Sequence, residues 1–275
     1  SLFWFDYELD AEFAREDEQV QVDMEIMNKH DHLLRLKNEI ELFYEPARKV
    51  NPWNRMTYDV FPFSKITNQD MVRGGRPKVN RAYHKMKEML HHYQVPPVKT
   101  ALCLCEAPGG FVQALCEHSP HVRWTAVSLP GSIRFSNILK RQYHGLIVYN
   151  DIIRNPVKLP RKVDLVTGDG GFDTSNAYEA QESLTMKLIE AEIRQGCENL
   201  NTGGTMIIKM FDIYTKATCD AILHLISLFE KVNICKPPCS KPSNAEKYVI
   251  CRGYVGTFRP RDSSVIIPNV LNWII

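Results

Sequence analysis

With 275 residues, of which 44% are apolar and 24% charged, the chain can bury a core without disulfides or a structural metal, and it is neither a disordered tail nor a fibrous protein. No apolar run approaches the roughly 20 residues of a membrane span, and the first residues lack the basic-then-apolar pattern of a signal peptide, so we expect an intracellular protein with no membrane partner. The net charge of +2 combines a net charge of −9 over residues 1–45 with +11 over the remainder, so the small total does not exclude a polyanionic ligand.

The acidic N-terminal segment is predicted to be helical over residues 20–44, because Leu33, Leu36 and Ile40 recur at helical spacing. Such an arm can pack on the domain, bind a partner, or cover a basic surface, and the sequence leaves the three open. Residues 48–88 follow with ten lysines and arginines against three acidic residues. Binding to a phosphate backbone requires a density of this kind, although a solvated basic surface is the alternative.

From residue 77 onward, helical and strand patterns alternate. The pattern predicts helices over residues 77–93, 110–119, 176–200 and 216–229. It predicts strands over residues 100–105, 122–128, 146–149, 163–167, 205–210, 232–235 and 247–251. This order indicates an α/β fold with a doubly wound, mostly parallel seven-stranded sheet. Ligands of such sheets bind beyond the carboxyl ends of the strands.

The eight cysteines do not form a CxxC pair, and several lie among apolar residues, as Cys103 and Cys251 do. We therefore expect reduced thiols in the core and no metal. A zinc site is the less favoured alternative.

A glycine turn follows the first predicted strand. Adjacent Gly109 and Gly110 let a ligand approach the backbone, and the helix that begins there offers free N–H groups. This arrangement predicts a nucleotide-like ligand, but the spacing is neither that of a dinucleotide fingerprint nor that of a P-loop. A turn that merely needs glycine is the alternative.

Five segments, taken in order over residues 73–252, resemble the FtsJ-like family of S-adenosylmethionine-dependent 2′-O-ribose methyltransferases. They are Asn-Arg-Ala-Tyr-His-Lys-Met at 80–86, Glu-Ala-Pro-Gly-Gly-Phe at 106–111, Gly-Asp-Gly-Gly-Phe-Asp at 168–173, Thr-Met-Ile-Ile-Lys-Met-Phe-Asp at 205–212 and, as the fifth segment, Lys-Pro-Pro at 236–238 through Ser-Lys-Pro-Ser-Asn-Ala-Glu-Lys-Tyr-Val at 240–249. Within the family, the last three segments are most similar to the cap-specific mRNA enzymes of eukaryotes and viruses.

The resemblance implies a Rossmann-like class I methyltransferase domain over residues 73–258. It would follow an acidic helical extension and basic linker over residues 1–72 and precede a C-terminal segment over 259–275, for which a truncated end is one reading. The implied activity is 2′-O-methylation of the 5′ cap-proximal nucleotide of mRNA. A ribosomal or transfer RNA methyltransferase and a non-catalytic RNA-binding scaffold of the same fold are the alternatives. The choice between nucleus and cytoplasm depends on whether the protein is cellular or viral, and the sequence leaves it open.

The resemblance also implies a catalytic set of Lys85, Asp169, Lys209 and Glu246. Lys209 would be the general base for the ribose 2′-hydroxyl, and the two carboxylates would hold the lysines. Since a free lysine is protonated at neutral pH, we expect burial and the charge of Lys85 to lower the pKa of Lys209.

For S-adenosyl-L-methionine, the resemblance implies contacts near the glycine turn and the next two strand ends. The second strand ends in Ser128 rather than in the acidic residue common in this class, so Ser128 is expected to contribute to the cofactor site. Asp151 is expected to contact the adenine, although a turn cap is its alternative role. The full predicted set is Ala107, Pro108, Gly109, Gly110, Phe111, Ser128, Asp151 and Asp169.

Capped RNA is the expected partner. The predicted RNA contacts are Arg73, Arg76, Lys78, Arg81, Lys241, Ser243 and Asn244. Trp53, Tyr58, Phe61 and Phe63 are candidates to stack on a cap guanine, although a core role is the preferred interpretation for each. The acidic extension could dock on a polymerase or on other capping enzymes.

Overall fold

The computed structural model describes residues 5–8, 31–32, 35–36, 38–40, 42–43, 52–61, 63, 77–131, 133–171, 178–211, 213, 216–241 and 244–256. Eight strands form one sheet in the order β1-β7-β8-β6-β5-β2-β3-β4. In chain order they are β1 (Phe5–Glu8), β2 (Thr100–Leu104), β3 (Arg123–Ser128), β4 (Leu146–Tyr149), β5 (Val163–Gly168), β6 (Leu200–Met210), β7 (Phe229–Lys236) and β8 (Lys247–Tyr254).

Five neighbouring strands of the sheet, β4, β3, β2, β5 and β6, run parallel. β8 lies antiparallel between β6 and β7. The predicted mostly parallel, doubly wound sheet of seven strands is therefore confirmed for β2–β8. β1 pairs antiparallel with β7 and adds an eighth strand at the edge. It comes from the extension that we expected to be helical.

Six helices accompany the sheet in the described part of the chain. They are α1 (Pro52–Val60), α2 (Ala82–His92), α3 (Gly110–His118), α4 (Asn137–Gln142), α5 (Tyr178–Asn199) and α6 (Lys216–Leu228). The pattern did not predict α1, which lies in the supposed basic linker, or the short α4. None of these helices is long and apolar enough to cross a membrane.

The predicted helix over residues 20–44 falls only partly on described residues. Those described between 31 and 40 are helical, and residues 42–43 form a turn. Leu36 and Phe43 are exposed. Neither of these two apolar side chains is therefore buried in the core.

The core has one layer on each face of the sheet, as alternating strand residues require. Leu102 and Leu104 of β2 pack in the layer that includes residues of α5 and α6, whereas Ala101 and Cys103 pack in the layer with α2, α3 and α4. All eight cysteines are free, and five of them are buried. Their predicted role as core thiols is confirmed for these five.

The strand register brings the predicted site residues to one edge of the sheet. Leu104 pairs with Gly168, and Gly168 pairs with Ile208. Asp169 and Lys209 come immediately after these paired residues. Lys209 in turn lies opposite Tyr248 of β8. The parallel strands therefore deliver the glycine turn, Asp169 and Lys209 to the same carboxyl-end edge.

Candidate active site

The ammonium group of Lys209 is held by Asp169. Lys209 is the next-to-last residue of β6, and Asp169 directly follows β5. Lys209 Nζ donates to the backbone oxygen of Asp169 at 2.8 Å and lies 3.2 Å from Asp169 Oδ1. The side chains are only 13% and 20% exposed, respectively. A lysine at the end of an otherwise apolar strand thus has a carboxylate partner in place of water.

The second predicted pair joins α2 to the residue before β8. Lys85 Nζ lies 2.5 Å from Glu246 Oε1, and both side chains are mostly buried. α2 contacts the same loop again one turn later, where Glu88 Oε2 accepts a hydrogen bond from the backbone nitrogen of Cys239 at 3.2 Å. The helix therefore fixes both the lysine and the segment that carries its partner.

The two ion pairs form one charged cluster. Burial raises the pKa of Glu246, but the ammonium groups of Lys85 and Lys209 lower it by more, to about 2. Glu246 is therefore ionised at neutral pH and is shared electrostatically by both lysines. The structure thus brings together all four residues of the predicted catalytic set.

The pKa of Lys209 lies above its ordinary value, opposite to our expectation. Burial lowers this pKa, but Asp169 and Glu246 together raise it by more. Lys85 lies 2.5 Å from Glu246, so the carboxylate of Glu246 offsets the positive charge of Lys85. In this arrangement Lys209 is therefore a protonated ammonium at neutral pH.

Two residues that the sequence did not single out hold Glu246 in place. Ser240 Oγ donates to Glu246 Oε1 at 3.0 Å. Lys236 Nζ donates to the backbone oxygens of Asn244 and Glu246, each at 2.8 Å. These contacts close the loop between β7 and β8. Both residues lie in the fifth segment that resembles the family, but the sequence assigned neither of them a role.

Tyr248 is a third supporting residue, which lies in the fifth segment but to which the sequence assigned no role. Its hydroxyl group donates to Asp169 Oδ1 at 3.2 Å, and its side chain is fully buried. Tyr248 follows Glu246 by two positions, and residues at that spacing in an extended chain point to the same face. Strand alternation from Glu246 could therefore have identified it.

The two glycines of the turn are needed for different reasons. Gly109 has φ +113°, in the region that favours glycine. A Cβ on Gly110 would lie 2.9 Å from the backbone nitrogen of Tyr83, so this glycine lets α3 approach the start of α2. At Gly110 the requirement comes from packing, and the turn is thereby tied to the helix that carries Lys85.

Backbone N–H groups in the first turn of α3 donate to the carboxyl group of Glu106. Glu106 Oε1 accepts from the backbone nitrogen of Val112 at 2.9 Å, and the N–H of Phe111 also bonds this side chain. The expectation that the helix start offers free N–H groups is therefore wrong for these two residues. Burial raises the pKa of Glu106 well above its usual range.

Ser128 and Asp151 lie beside the turn, at the ends of β3 and β4. Ser128 Oγ accepts from the backbone nitrogen of Ala107 at 3.2 Å, which couples the end of β3 to the turn. Asp151 Oδ1 accepts from the backbone nitrogens of Ile153 at 3.0 Å and Arg154 at 3.4 Å, so Asp151 does cap a turn. Their predicted cofactor contacts stay predictions.

Three large apolar side chains are exposed where β3 and β4 end. Leu129 is 48% exposed, Tyr149 47% and Ile153 39%. Exposed apolar side chains gathered at the ligand-binding edge of such a sheet are typical of a binding cleft. They suit a purine ring, so the residues present fit an adenosine-containing cofactor such as S-adenosylmethionine.

Two predicted RNA contacts, Arg81 and Lys241, lie near enough for their charges to interact. Burial and the charge of Arg81 lower the pKa of Lys241. Arg81 precedes α2 and Lys241 lies in the loop between β7 and β8. Two cations in this proximity repel each other, and an anionic group placed between them would relieve that repulsion.

The remaining predicted RNA contacts are placed differently. Lys78 is engaged within the protein, since its Nζ lies 3.2 Å from Glu117 Oε1 and 4.2 Å from the ring centroid of Tyr83. Asn244 is exposed, and its side-chain oxygen accepts from Lys236 Nζ at 2.8 Å. Arg73, Arg76 and Ser243 lie outside the described residues. All of these contacts stay predictions.

The aromatic candidates for cap stacking are only partly described. Phe61 is buried, and its ring centroid lies 5.7 Å from that of Phe63. These contacts agree with the preferred core interpretation of Phe61. The side chains of Trp53 and Tyr58 lie outside the described residues. Among the residues that the structure describes, no group of three or more His, Cys, Asp or Glu side chains could hold a metal ion.

The sheet order, together with the cluster at the carboxyl ends of the parallel strands, identifies an α/β methyltransferase-like fold. The FtsJ-like methyltransferase family matches residues 78–254, and the chain belongs to this family. The resemblance inferred from the five segments is thereby confirmed.

Relatives with described activities are similar at modest identity. A probable methyltransferase of African swine fever virus is 27% identical over 277 residues, covering 86% of this chain and 64% of the relative. The cap-specific mRNA (nucleoside-2′-O-)-methyltransferase 2 of Danio rerio is 31% identical over 249 residues, covering 75% of this chain and 32% of the relative. The chain thus spans somewhat less than two thirds of the viral relative and about a third of the fish one.

A solved structure supports the fold. A putative ribosomal RNA methyltransferase from Plasmodium falciparum superposes with a TM-score of 0.51 at 17% identity, covering 65% of this chain and 99% of that one. At this identity the similarity shows the α/β fold alone.

Proposed function

We propose that the chain is an S-adenosylmethionine-dependent RNA 2′-O-ribose methyltransferase that acts on the cap-proximal nucleotide of mRNA. The observation that carries the proposal is the buried cluster of two ion pairs, in which Lys209 meets Asp169 and Lys85 meets Glu246. Membership of a methyltransferase family implies S-adenosylmethionine as the methyl donor. Residues 73–258 would form the catalytic domain.

Methylation of a ribose requires removal of a hydroxyl proton and alignment of the hydroxyl oxygen with the methyl group. When bound, S-adenosylmethionine supplies an electrophilic methyl group on positively charged sulfur. Residues 107–111, Ser128 and Asp151 would hold this cofactor at the ends of β2, β3 and β4. Lys209 would accept the hydroxyl proton at Nζ, and Lys85 would orient the hydroxyl oxygen.

Lys209 must lose its own proton before it can act as a base. In the chain alone its ammonium is stabilised by Asp169 and Glu246. Any cation that shares the Asp169 carboxylate weakens this stabilisation and lowers the pKa of Lys209. The positively charged sulfur of bound S-adenosylmethionine would act in this way, so we infer that the base forms more readily once the cofactor is in place.

The assignment to capped mRNA is supported by the relatives whose names state this activity. Arg81 and Lys241, whose charges repel each other, would together bind a backbone phosphate of the RNA. The acidic extension is proposed to dock on a polymerase or another capping enzyme. Partner binding by the intact chain and by a variant in which Asp10, Glu12, Glu16, Asp17 and Glu18 are replaced by their amides tests this while β1 is kept.

The test is methyl transfer from labelled S-adenosylmethionine to one short RNA with an N7-methylated cap, an unmethylated cap or an uncapped end. Nuclease digestion and mass spectrometry would locate the methyl group. We expect transfer to a cap-proximal ribose only when the RNA is capped. Equal transfer to uncapped RNA would indicate that the chain methylates an internal site of RNA rather than the cap-proximal nucleotide. No transfer despite measured cofactor binding would favour a non-catalytic scaffold.

Replacing Lys209 tests the mechanism. Lys209→Ala is expected to lower single-turnover methyl transfer by about a hundredfold or more, because general base catalysis contributes at least that much. Cofactor binding should be kept, whereas the melting temperature should fall, because Asp169 loses its buried ion-pair partner. Lys187→Ala, on the exposed side of α5, is the matched control and should keep full activity. Full activity in Lys209→Ala would contradict the assignment of Lys209 as the general base.

A further inference from the structure

A buried carboxyl group lies directly beneath the Asp169 loop and has no role in the mechanism above. Glu192 is on α5, and its side chain is fully buried. Its Oε1 accepts a hydrogen bond from the backbone nitrogen of Gly170 at 3.0 Å. A helix that packs on the sheet thus reaches the loop that carries Asp169.

Both glycines that flank Asp169 lie against this carboxyl group. A Cβ on Gly168 would be 2.6 Å from Glu192 Cδ, and a Cβ on Gly170 would be 2.6 Å from Glu192 Oε1. Any side chain at either position would therefore displace the Glu192 carboxyl group. The Gly-Asp-Gly sequence thus provides the space that Glu192 occupies, in addition to forming a turn.

The loop has two further attachments. The backbone nitrogen of Asp169 donates to the carbonyl oxygen of Leu104 at 3.3 Å, and its carbonyl oxygen accepts from Lys209 Nζ. The hydrogen bond from Gly170 to Glu192 is the third attachment of this loop. Asp169 is therefore fixed from β2, β6 and α5 together, and Glu192 supplies the contact from the helix.

The titratable groups that act on Glu192 come from each of the neighbouring elements. The Cys105 thiol, after β2, donates a hydrogen bond to its carboxyl group, the Lys209 ammonium on β6 attracts it, and the Asp169 carboxylate repels it. Burial is the largest influence and raises the pKa of Glu192 to about 8. Reciprocally, negative charge on Glu192 raises the pKa of Lys209.

We propose, on the basis of the function inferred above, that Glu192 is a positioning residue for the Asp169–Lys209 pair. As a neutral acid it holds the loop without adding charge, and as a carboxylate it keeps Lys209 protonated. Formation of the base is then easier while Glu192 is neutral. Glu192 does not touch the reacting atoms and acts only through Gly170, Asp169 and Lys209.

Three variants separate these effects. Glu192→Gln keeps an acceptor for Gly170 but cannot ionise, Glu192→Ala removes the acceptor, and Glu190→Gln changes an exposed residue of the same helix as the matched control. In single-turnover methyl transfer, Glu192→Gln should match the unmodified chain at pH 7. At pH 9 the rate of Glu192→Gln should be about fivefold higher than that of the unmodified chain, because the unmodified Glu192 then carries a charge beside Lys209. Glu192→Ala should be slower by about tenfold at both pH values.

A second readout does not depend on methyl transfer. In protein labelled with ¹³C at glutamate carboxyl groups, the NMR signal absent from Glu192→Gln identifies Glu192, and it should titrate near pH 8. In Lys209→Met this titration should move to higher pH, because the Lys209 ammonium lowers the pKa of Glu192. The titration is measurable even if the chain methylates no RNA, so failure of the proposed function is distinguishable from failure of this inference.

Superimposable pH profiles for Glu192→Gln and the unmodified chain would overturn the inference, as would titration of Glu192 between pH 4 and 5 or at the same pH in Lys209→Met. Unchanged activity in Glu192→Ala, with an unchanged melting temperature, would overturn the positioning role. If Glu192→Ala does not fold, Glu192→Gln still supplies both the pH profile and the assignment of the NMR signal.

Discussion

Tyr248 and Asp169 are joined by a buried hydrogen bond across the sheet. The Tyr248 hydroxyl group donates to Asp169 Oδ1 at 3.2 Å, the same oxygen that lies 3.2 Å from Lys209 Nζ. One carboxylate oxygen thus receives two donors from adjacent strands, since Lys209 and Tyr248 are paired between β6 and β8. The orientation of Asp169 is therefore set by the sheet as well as by its own loop.

Removal of the Tyr248 hydroxyl group should reduce catalysis more than stability. Tyr248→Phe keeps the buried ring but removes one hydrogen bond to a charged acceptor, so we expect single-turnover methyl transfer to fall about tenfold. Tyr143→Phe is the control, because it removes another tyrosine–carboxylate hydrogen bond, to Glu117 at 3.4 Å, outside the cluster. Equal rates for Tyr248→Phe and Tyr143→Phe would show that this bond does not orient Asp169.

Lys236 should determine how well Glu246 is placed. Its ammonium group bonds the backbone oxygens of Asn244 and Glu246, so Lys236→Met should loosen the loop between β7 and β8. We expect kcat to fall about five- to tenfold while cofactor affinity stays unchanged. Steady-state kinetics with capped RNA and calorimetry with S-adenosylmethionine measure the two quantities. Lys231→Met, an exposed position on the same strand, should change neither; a matching loss there would point to a general effect on β7.

Most of the sheet was predictable because each strand is a short apolar run bounded by turn residues. β1 was not, because it is an edge strand whose hydrogen bonds are all made to β7, far away in the chain. α4 has only six residues, too few for an apolar period to be visible. These elements exist because of tertiary contacts that no local window of sequence contains.

The residues of the candidate site likewise include some that the sequence predicts and some that it does not. Lys85, Asp169, Lys209 and Glu246 were found through their motifs, and the structure brings them together. Glu192 reaches the cluster from another segment and carries no motif of its own, and Lys236 lies in the fifth segment without a role that the sequence could indicate. The direction of the Lys209 pKa was also misjudged, because it depends on which charges are nearest after folding.

Asp151 has two possible roles that a single substitution can separate. As a turn cap it uses Oδ1 to accept from the nitrogens of Ile153 and Arg154, and asparagine can do the same. Asp151→Asn should therefore leave the melting temperature unchanged. If Asp151 also accepts from the cofactor adenine, the dissociation constant for S-adenosylmethionine should rise about tenfold by calorimetry, because a charged acceptor is lost.

The control for Asp151 is its neighbour Arg154, whose Nε lies 3.6 Å from Asp151 Oδ2 and whose side chain is 84% exposed. Arg154→Ala removes this ion pair but leaves the carboxylate, and should not weaken cofactor binding. An unchanged dissociation constant in Asp151→Asn would assign Asp151 to the turn alone.

The depressed pKa of Glu246 predicts a specific loss of stability in acid. Its pKa is about 2 in the folded chain against an ordinary value of 4.5. The stabilisation is therefore fully present above pH 4.5 and is lost as the pH falls from 4.5 towards 2, by at most about 1.4 kcal/mol per pH unit. Glu246→Gln cannot form the ion pair with Lys85, so its unfolding free energy should be lower than that of the unmodified chain at pH 7.

This stability difference should shrink as the medium becomes acidic, because protonation of Glu246 abolishes the same ion pair in the unmodified chain. Urea unfolding of both proteins at pH 7, 4.5 and 3 measures the difference directly. Glu190→Gln, on the exposed face of α5, should follow the unmodified chain at all three pH values. A difference between Glu246→Gln and the unmodified chain that stays constant down to pH 3 would mean that Glu246 stabilises the fold through its packing and neutral hydrogen bonds, including the one from Ser240, rather than through its charge.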